Sequence, residues 1–298
     1  METLWVFAAL GTATCFAVTS LIAYDAVRAL GVVAFSFARM AIVAIGFAAY
    51  TLITGFDTAM QVSDIGLLVI SGFLGVFLAD TFRYSALARI GPQLQTLLNT
   101  TTAPFALLMG FVILGQVVSG LSLLGTGVVF AGLLLAIVSR NASTPGRFSG
   151  DRDGMVPGVP LGVAAALMQA GSLLIAAPVM LQGIDPVSAT AVRSAAGAGA
   201  LLVPILMSRK NLVNLRSMNL DVARQVLLVA AIGPGIGMTL QLYALATGPV
   251  GIVSTLSATT PLIILPLVWV IGRSRPGLFS WLGALTGILG VWLIVSNA

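Results

Sequence analysis

Of the nine acidic residues in this 298-residue chain, eight lie near the N-terminus or where apolar runs end, and one, Asp80, lies well inside such a run. Three basic residues, Arg39, Arg83 and Arg193, are placed the same way; the other eleven are not. If the runs are helices, Asp80 and Arg39 each lie about eight residues from the same side, ~12 Å deep at 1.5 Å per residue. A lone charge at that depth is costly, so an Arg39–Asp80 pair is the natural solution. Arg83 and Tyr84 follow Asp80 by three and four residues, share its helix face and can compete for it. Two chemistries fit. The pair could be a fixed link holding two helices in register, or Asp80 could exchange protons and partners. With no histidine and no other deep acid, Asp80 is the residue to which proton coupling would fall.

Arg193 poses a different problem. Ala191-Val192-Arg193 corresponds to Phe37-Ala38-Arg39, yet the places that correspond to Asp80, around Gly237 to Thr239, hold no acid. A deep guanidinium without a carboxylate of its own can take one from a substrate through two parallel hydrogen bonds. Alternatively, helix carbonyls, Gln169 or Gln241 satisfy it, or it snorkels to the interface. Further polar residues cluster around two prolines. Gln95, Asn99 and Thr100 to Thr102 precede Pro104, and Ser254, Thr255, Ser257, Thr259 and Thr260 precede Pro261. A mid-helix proline frees a carbonyl, which is tolerable where polar groups or a cavity can meet it. These side chains could line a cavity at the membrane midplane; many of the hydroxyls could instead bond their own helix. Tyr243 is grouped with them. Gly233-Pro234-Gly235-Ile236-Gly237 predicts a helix break or hinge at Pro234 and lacks phosphate-loop spacing.

The elements that must position these residues follow from composition. The chain is 58% apolar and 8% charged, with mean hydropathy +1.08. Soluble domains carry about 25% charged residues, so this chain cannot cover a water-facing surface. Apolar stretches at 3–24, 32–54, 65–88, 92–114, 119–138, 157–180, 187–208, 222–245, 250–271 and 277–296 predict about ten transmembrane helices. The sole cysteine, Cys15, excludes an intrachain disulfide and cysteine metal clusters, and the lack of histidine removes the usual zinc ligand. No cofactor or metal is expected. The pI of about 10.1 comes from few, loop-borne basic residues, which argues against nucleic-acid binding.

The chain also repeats itself. Gly91-Pro92 and Pro104 reappear as Gly248-Pro249 and Pro261, displaced by about 157 positions. Residues 1–140 form one five-helix copy, 141–155 a linker and 156–298 the second copy. Because five is odd, the second copy enters the membrane inverted. Arg28, Arg89, Arg140, Arg147, Arg152, Arg209, Lys210, Arg216, Arg224, Arg273 and Arg275 all flank odd-numbered connections. The positive-inside rule then places both termini outside the cytoplasm of a plasma (inner) membrane. Glycines at 125, 127, 132, 283, 287 and 290 give the fifth and tenth spans small faces, and Gly283-x-x-x-Gly287 could serve a homodimer or packing within the chain. Trp5, Trp269, Trp281 and Trp292 lie near span ends and read as interfacial anchors among the membrane lipids.

Asp80-Thr81, Tyr84 to Leu87, Ile90-Gly91-Pro92, Pro104 and Gly125 to Gly132 resemble an EamA-type domain of the drug/metabolite transporter superfamily; Tyr243-Ala244-Leu245, Pro249, Pro261, Gly283 and Gly290 resemble a second. The resemblance implies a ten-helix exporter of amino acids or other small metabolites, drugs included, and no enzyme. Where the family usually has glycine–glutamate pairs after the fourth and ninth spans, this chain reads Gly115-Gln116 and Gly272-Arg273, which predicts that the glutamate's role is absent. The family also commonly keeps both termini in the cytoplasm, against the charge bias here. The resulting expectation is an all-α secondary transporter working by alternating access on a small-molecule substrate. The alternatives are a multidrug exporter of lipophilic cations, for which Asp80 would be the counter-ion, and a passive channel or facilitator.

Overall fold

The structure, a computed structural model, describes residues 4–55, 60–116, 119–138, 155–272 and 278–295. The expected linker over 141–155 lies outside these residues except for Met155, as do Arg140, Arg147, Arg152, Arg273 and Arg275. The described residues form helices and connecting turns with no strand. The helices are α1 (Leu4–Leu30), α2 (Val32–Thr54), α3 (Val62–Gly72), α4 (Asp80–Thr100), α5 (Thr102–Leu114), α6 (Gly120–Val138) and α7 (Met155–Leu181). They continue with α8 (Pro186–Met207), α9 (Arg209–Arg216), α10 (Leu220–Ala230), α11 (Met238–Leu245), α12 (Val250–Ser257), α13 (Thr260–Gly272) and α14 (Leu278–Val295).

Among the described residues, seven helical stretches are long and apolar enough to cross a membrane, against about ten expected. The remaining three spans fall on α6, on α12 with α13, and on α14. The second of these is divided by a turn, so neither piece is a full-length apolar helix. Spans three and four are divided from each other inside α4 at Gly91, whose φ of 77° suits a residue with no Cβ.

Packing follows the repeat. α1 runs along α10, α11, α12 and α13, while α7 runs along α3, α4 and α5. α2 packs on α8, α5 on α12, and α6 on α14. Each helix of one half is thus matched by its counterpart, the arrangement of two copies about a pseudo-two-fold axis. The glycines serve this packing within the chain. A Cβ on Gly132 would stand 2.5 Å from the Gly287 amide and 2.6 Å from the Gly283 carbonyl. The Gly283-x-x-x-Gly287 face is therefore covered by α6 of its own chain, the within-chain packing of the two alternatives for this motif. Trp5 also departs from expectation. It is 7% exposed and belongs to the same buried apolar cluster as Leu245, Val253 and Leu256, because Gly248 opposite leaves room for its ring. Trp292 is exposed, as an anchor facing lipid would be.

Spans three and eight each contain a seven-residue π-helical segment, Phe73–Ala79 and Ala231–Gly237. The two are displaced by about 158 positions, so the irregularity is itself repeated. Such wide turns are rare and recur at functional sites. Pro234 lacks an amide and would crowd the carbonyl four residues back, which the wider turn relieves. The first segment has no proline, so proline is not the general cause. Each segment turns a glycine toward a neighbouring helix: Gly75 lies tightly against Ser172 and Arg193, whereas Gly233 meets Thr19 at ordinary contact distance. The expected break at Pro234 is thus a widened helix.

Candidate functional site

Spans three and four, with α1 and α2, meet α7, α8, span eight and α13 around a central cavity. Asp80, the first residue after the first π segment, is 7% exposed and lies at its wall. Arg39, 3% exposed, directs Nη2 to Asp80 Oδ2 as an ion pair and donates from Nη1 to the Tyr84 hydroxyl at 2.7 Å. Arg83 Nη1 pairs with Asp80 Oδ1 at 3.0 Å, and its Nη2 donates to Gln169 Oε1 at 3.4 Å. The expected Arg39–Asp80 pair and its two competitors are therefore present together. Tyr84 also lies under the Arg39 guanidinium at 4.7 Å, with Phe35 edge-on to Tyr84. Arg83 sits 5.7 Å from the Phe16 ring.

Arg193 is 1% exposed and stands apart from that cluster. Neither Gln169 nor Gln241 satisfies it. Its Nη2 donates to Ser172 Oγ at 3.0 Å, while Nε and Nη1 have no hydrogen-bond partner among the described residues. Ser172 is held in a reciprocal clasp: its hydroxyl donates to the Ser71 carbonyl and the Ser71 hydroxyl to the Ser172 carbonyl, each at 2.7 Å. A buried, unpartnered guanidinium edge loses hydration without replacing it, so these two nitrogens keep capacity to donate.

The cavity between the two clusters gives about 50 Å³ to the centres of water-sized molecules, room for a few waters at ~10–15 Å³ each. Arg39, Asp80, Arg83, Tyr84, Gln95, Asn99, Gln169, Arg193, Pro234 and Gln241 all line it, so most residues singled out in the sequence converge there. Asp80's counterpart in the repeat, Met238, lines it too. Other expected residues do not. Tyr243 is 43% exposed and faces outward, because its helix turns Gln241 inward instead. Thr102, Ser257 and Thr259 are buried in packing outside the cavity wall. Thr259 Oγ1 bonds the Leu256 carbonyl at 2.7 Å, the local bonding open to such hydroxyls.

Pro104 and Pro261 do not sit mid-helix. Each lies in the first turn of a new helix, α5 and α13, where a missing amide costs nothing. The break comes just before them, at Thr101 and at Ala258–Thr259, so spans four and nine are each two half-helices. Gly115 ends α5 in the left-handed region at φ 62°, and Gln116 Oε1 accepts from the Val250 amide at 3.1 Å, at the start of α12. Arg273 lies outside the described residues.

Sequence reasoning missed Ser172, Ser71, Phe16, Thr19, Ser20 and Thr96. Phe16, Thr19 and Ser20 share one face of α1 at helical spacing, a signal that was legible. The serine clasp joins residues about a hundred positions apart and leaves no local mark. The one carboxylate in the cavity is already engaged by two guanidiniums, a donor set unsuited to a divalent cation.

Among curated proteins none is similar enough to count as a relative. A solved crystal structure of a chain 16% identical shares the fold, with TM-score 0.74 over 98% of this chain and 96% of that one. The family described as the EamA-like transporter family matches twice, over residues 3–138 and 156–296. With two copies of that unit packed about one polar cavity in apolar helices, this chain belongs to the EamA-like transporter family of the drug/metabolite transporter superfamily, multi-pass membrane transporters of small substrates.

Proposed function

We propose that the protein is a secondary transporter working by alternating access, exporting an amino acid or similar small metabolite that docks a carboxylate on Arg193. The observation that carries this reading is the buried Arg193 edge, with Nε and Nη1 free of partners among the described residues, at the wall of a cavity shared by both halves. A guanidinium in low dielectric binds a carboxylate through two charge-assisted hydrogen bonds, which fixes orientation as well as charge. A cavity that holds a few waters is too small for a metabolite, so the halves must part to admit one. The π segments border it on both sides and are the natural places for spans three and eight to change shape.

The sequence offers no nucleotide-binding motif, and a gradient supplies the energy in this reading. Both Asp80 oxygens are engaged, so a proton arriving there must displace Arg39 or Arg83. A displaced Arg83 would face the cavity, which ties protonation to the site. The basic helix α9 faces the cytoplasm and the termini lie outside, in keeping with the positive-inside rule.

Thermal-shift measurements on the purified protein with amino acids, organic acids and lipophilic cations, repeated on Arg193→Gln, test the proposal. Stabilisation by a carboxylate compound that vanishes in the variant is expected. Stabilisation by cations alone, unchanged in the variant, would overturn it in favour of a drug exporter.

A further inference from the structure

We infer that the occupant of the cavity is a small anion carrying two negative charges and no ammonium group, which narrows the proposed amino acid or similar small metabolite to the latter and rests on the cavity being the substrate site. The charge count decides it. Arg39, Arg83 and Arg193 line the cavity, Asp80 is the only acidic residue among its described lining residues, and the chain has no histidine. Three guanidiniums against one carboxylate leave two positive charges without a counter-charge in a setting where water is scarce.

The donors are distributed to match. Arg39 gives Nη2 to Asp80 and Nη1 to Tyr84 and is covered by aromatic rings, with Nε alone left without a partner among the described residues. Arg83, less covered than Arg39, and Arg193 keep capacity: Nε of the first, and Nε and Nη1 of the second, lack partners among the described residues. They belong to opposite halves of the molecule, so a substrate with two acidic groups would bridge them. A zwitterion would bring its ammonium among three cations, and the one acid that could meet it has both oxygens taken. It would also leave the net charge unchanged. A single carboxylate would cancel one of the two charges, and a dianion both. Gln95, Gln169, Gln241 and Asn99 also line the cavity, and Asn99 Oδ1, without a partner among the described residues, suits a hydroxyl on the linking carbons.

A dicarboxylate and a phosphate monoester share this chemistry, and a matched series separates them. Melting of the purified full-length protein is followed with succinate, succinamate, glutamine and glycerol phosphate at equal ionic strength. One or both dianions should stabilise at concentrations about tenfold or more below succinamate, with glutamine inactive. Succinate alone identifies a dicarboxylate, and glycerol phosphate alone a phosphate monoester. In Arg83→Gln the preference for dianion over monoanion should collapse, and in Arg83→Lys it should persist; unliganded melting of each variant reports folding separately. Succinamate or glutamine equalling the dianions would overturn the charge assignment and leave the site in place. Stabilisation unaltered in Arg193→Gln, or by none of the four compounds, would overturn the site and the assignment together.

Discussion

Arg39 and Arg193 occupy corresponding places in the two halves and meet opposite circumstances. Arg39 has a carboxylate, a phenol and two aromatic rings around it; Arg193 has one serine hydroxyl. The difference traces to one position. Where the first half places Asp80 after its π segment, the second places Met238, and both side chains reach the same cavity. Duplication supplied two equivalent arginines, and divergence left one of them without its acid. A carrier whose halves exchange conformations needs similar scaffolds but not similar chemistry. Here the first half keeps a closed ion-pair network, and the second keeps an open cation.

The sharpest way to break the contrast is to remove the acid. Asp80→Asn leaves Arg39 and Arg83 buried without a counter-charge, and should cost about 3–5 kcal/mol in thermal unfolding, far more than Arg193→Gln. The π segments provide a second contrast. Gly75→Ala would thrust a methyl onto Ser172 and 3.1 Å from Arg193 Nη2, and should lose about 1–3 kcal/mol together with ligand stabilisation. Gly233→Ala meets only Thr19 Cγ2 at 3.4 Å and should melt within about 0.5 kcal/mol of the parent. Met238→Asp would give Arg193 the acid its half lacks. Ligand affinity in the same melting assay should fall about tenfold or more as that carboxylate competes for the guanidinium, with unliganded melting unchanged or raised. A modest effect is expected at Gln116. Gln116→Leu removes the acceptor at the Val250 amide and should cost about 1 kcal/mol, while Gln116→Glu retains it.

The fold was legible because lipid imposes strict rules on sequence. Runs of about 20 apolar residues must be helices, and the displaced Gly-Pro and Pro positions expose the duplication. The deep charges were legible for a related reason: Asp80 and Arg39 at equal depth have few other ways to be satisfied. Side-chain direction within a helix was harder. Tyr243 and Gln241 are two residues apart and differ by about half a turn, and periodicity in a helix that is apolar all round does not say which faces inward. Long-range contacts left no trace either. The clasp of Ser71 and Ser172 depends on where spans three and six cross, and Trp5 became a core residue only because Gly248 faces it. The prolines were read correctly as marking breaks and misread in mechanism, since residue type alone does not distinguish a kinked helix from the first turn of a new one.

The most direct test of the central claim is exchange in sealed proteoliposomes. Vesicles containing the protein would be preloaded with the carboxylate that stabilises it most, and entry of the same labelled compound followed for the parent and for Arg193→Gln. The account predicts saturable entry, accelerated by the internal load and reduced to the level of protein-free vesicles in the variant. Entry that does not saturate, ignores the internal load or persists undiminished in Arg193→Gln would contradict it.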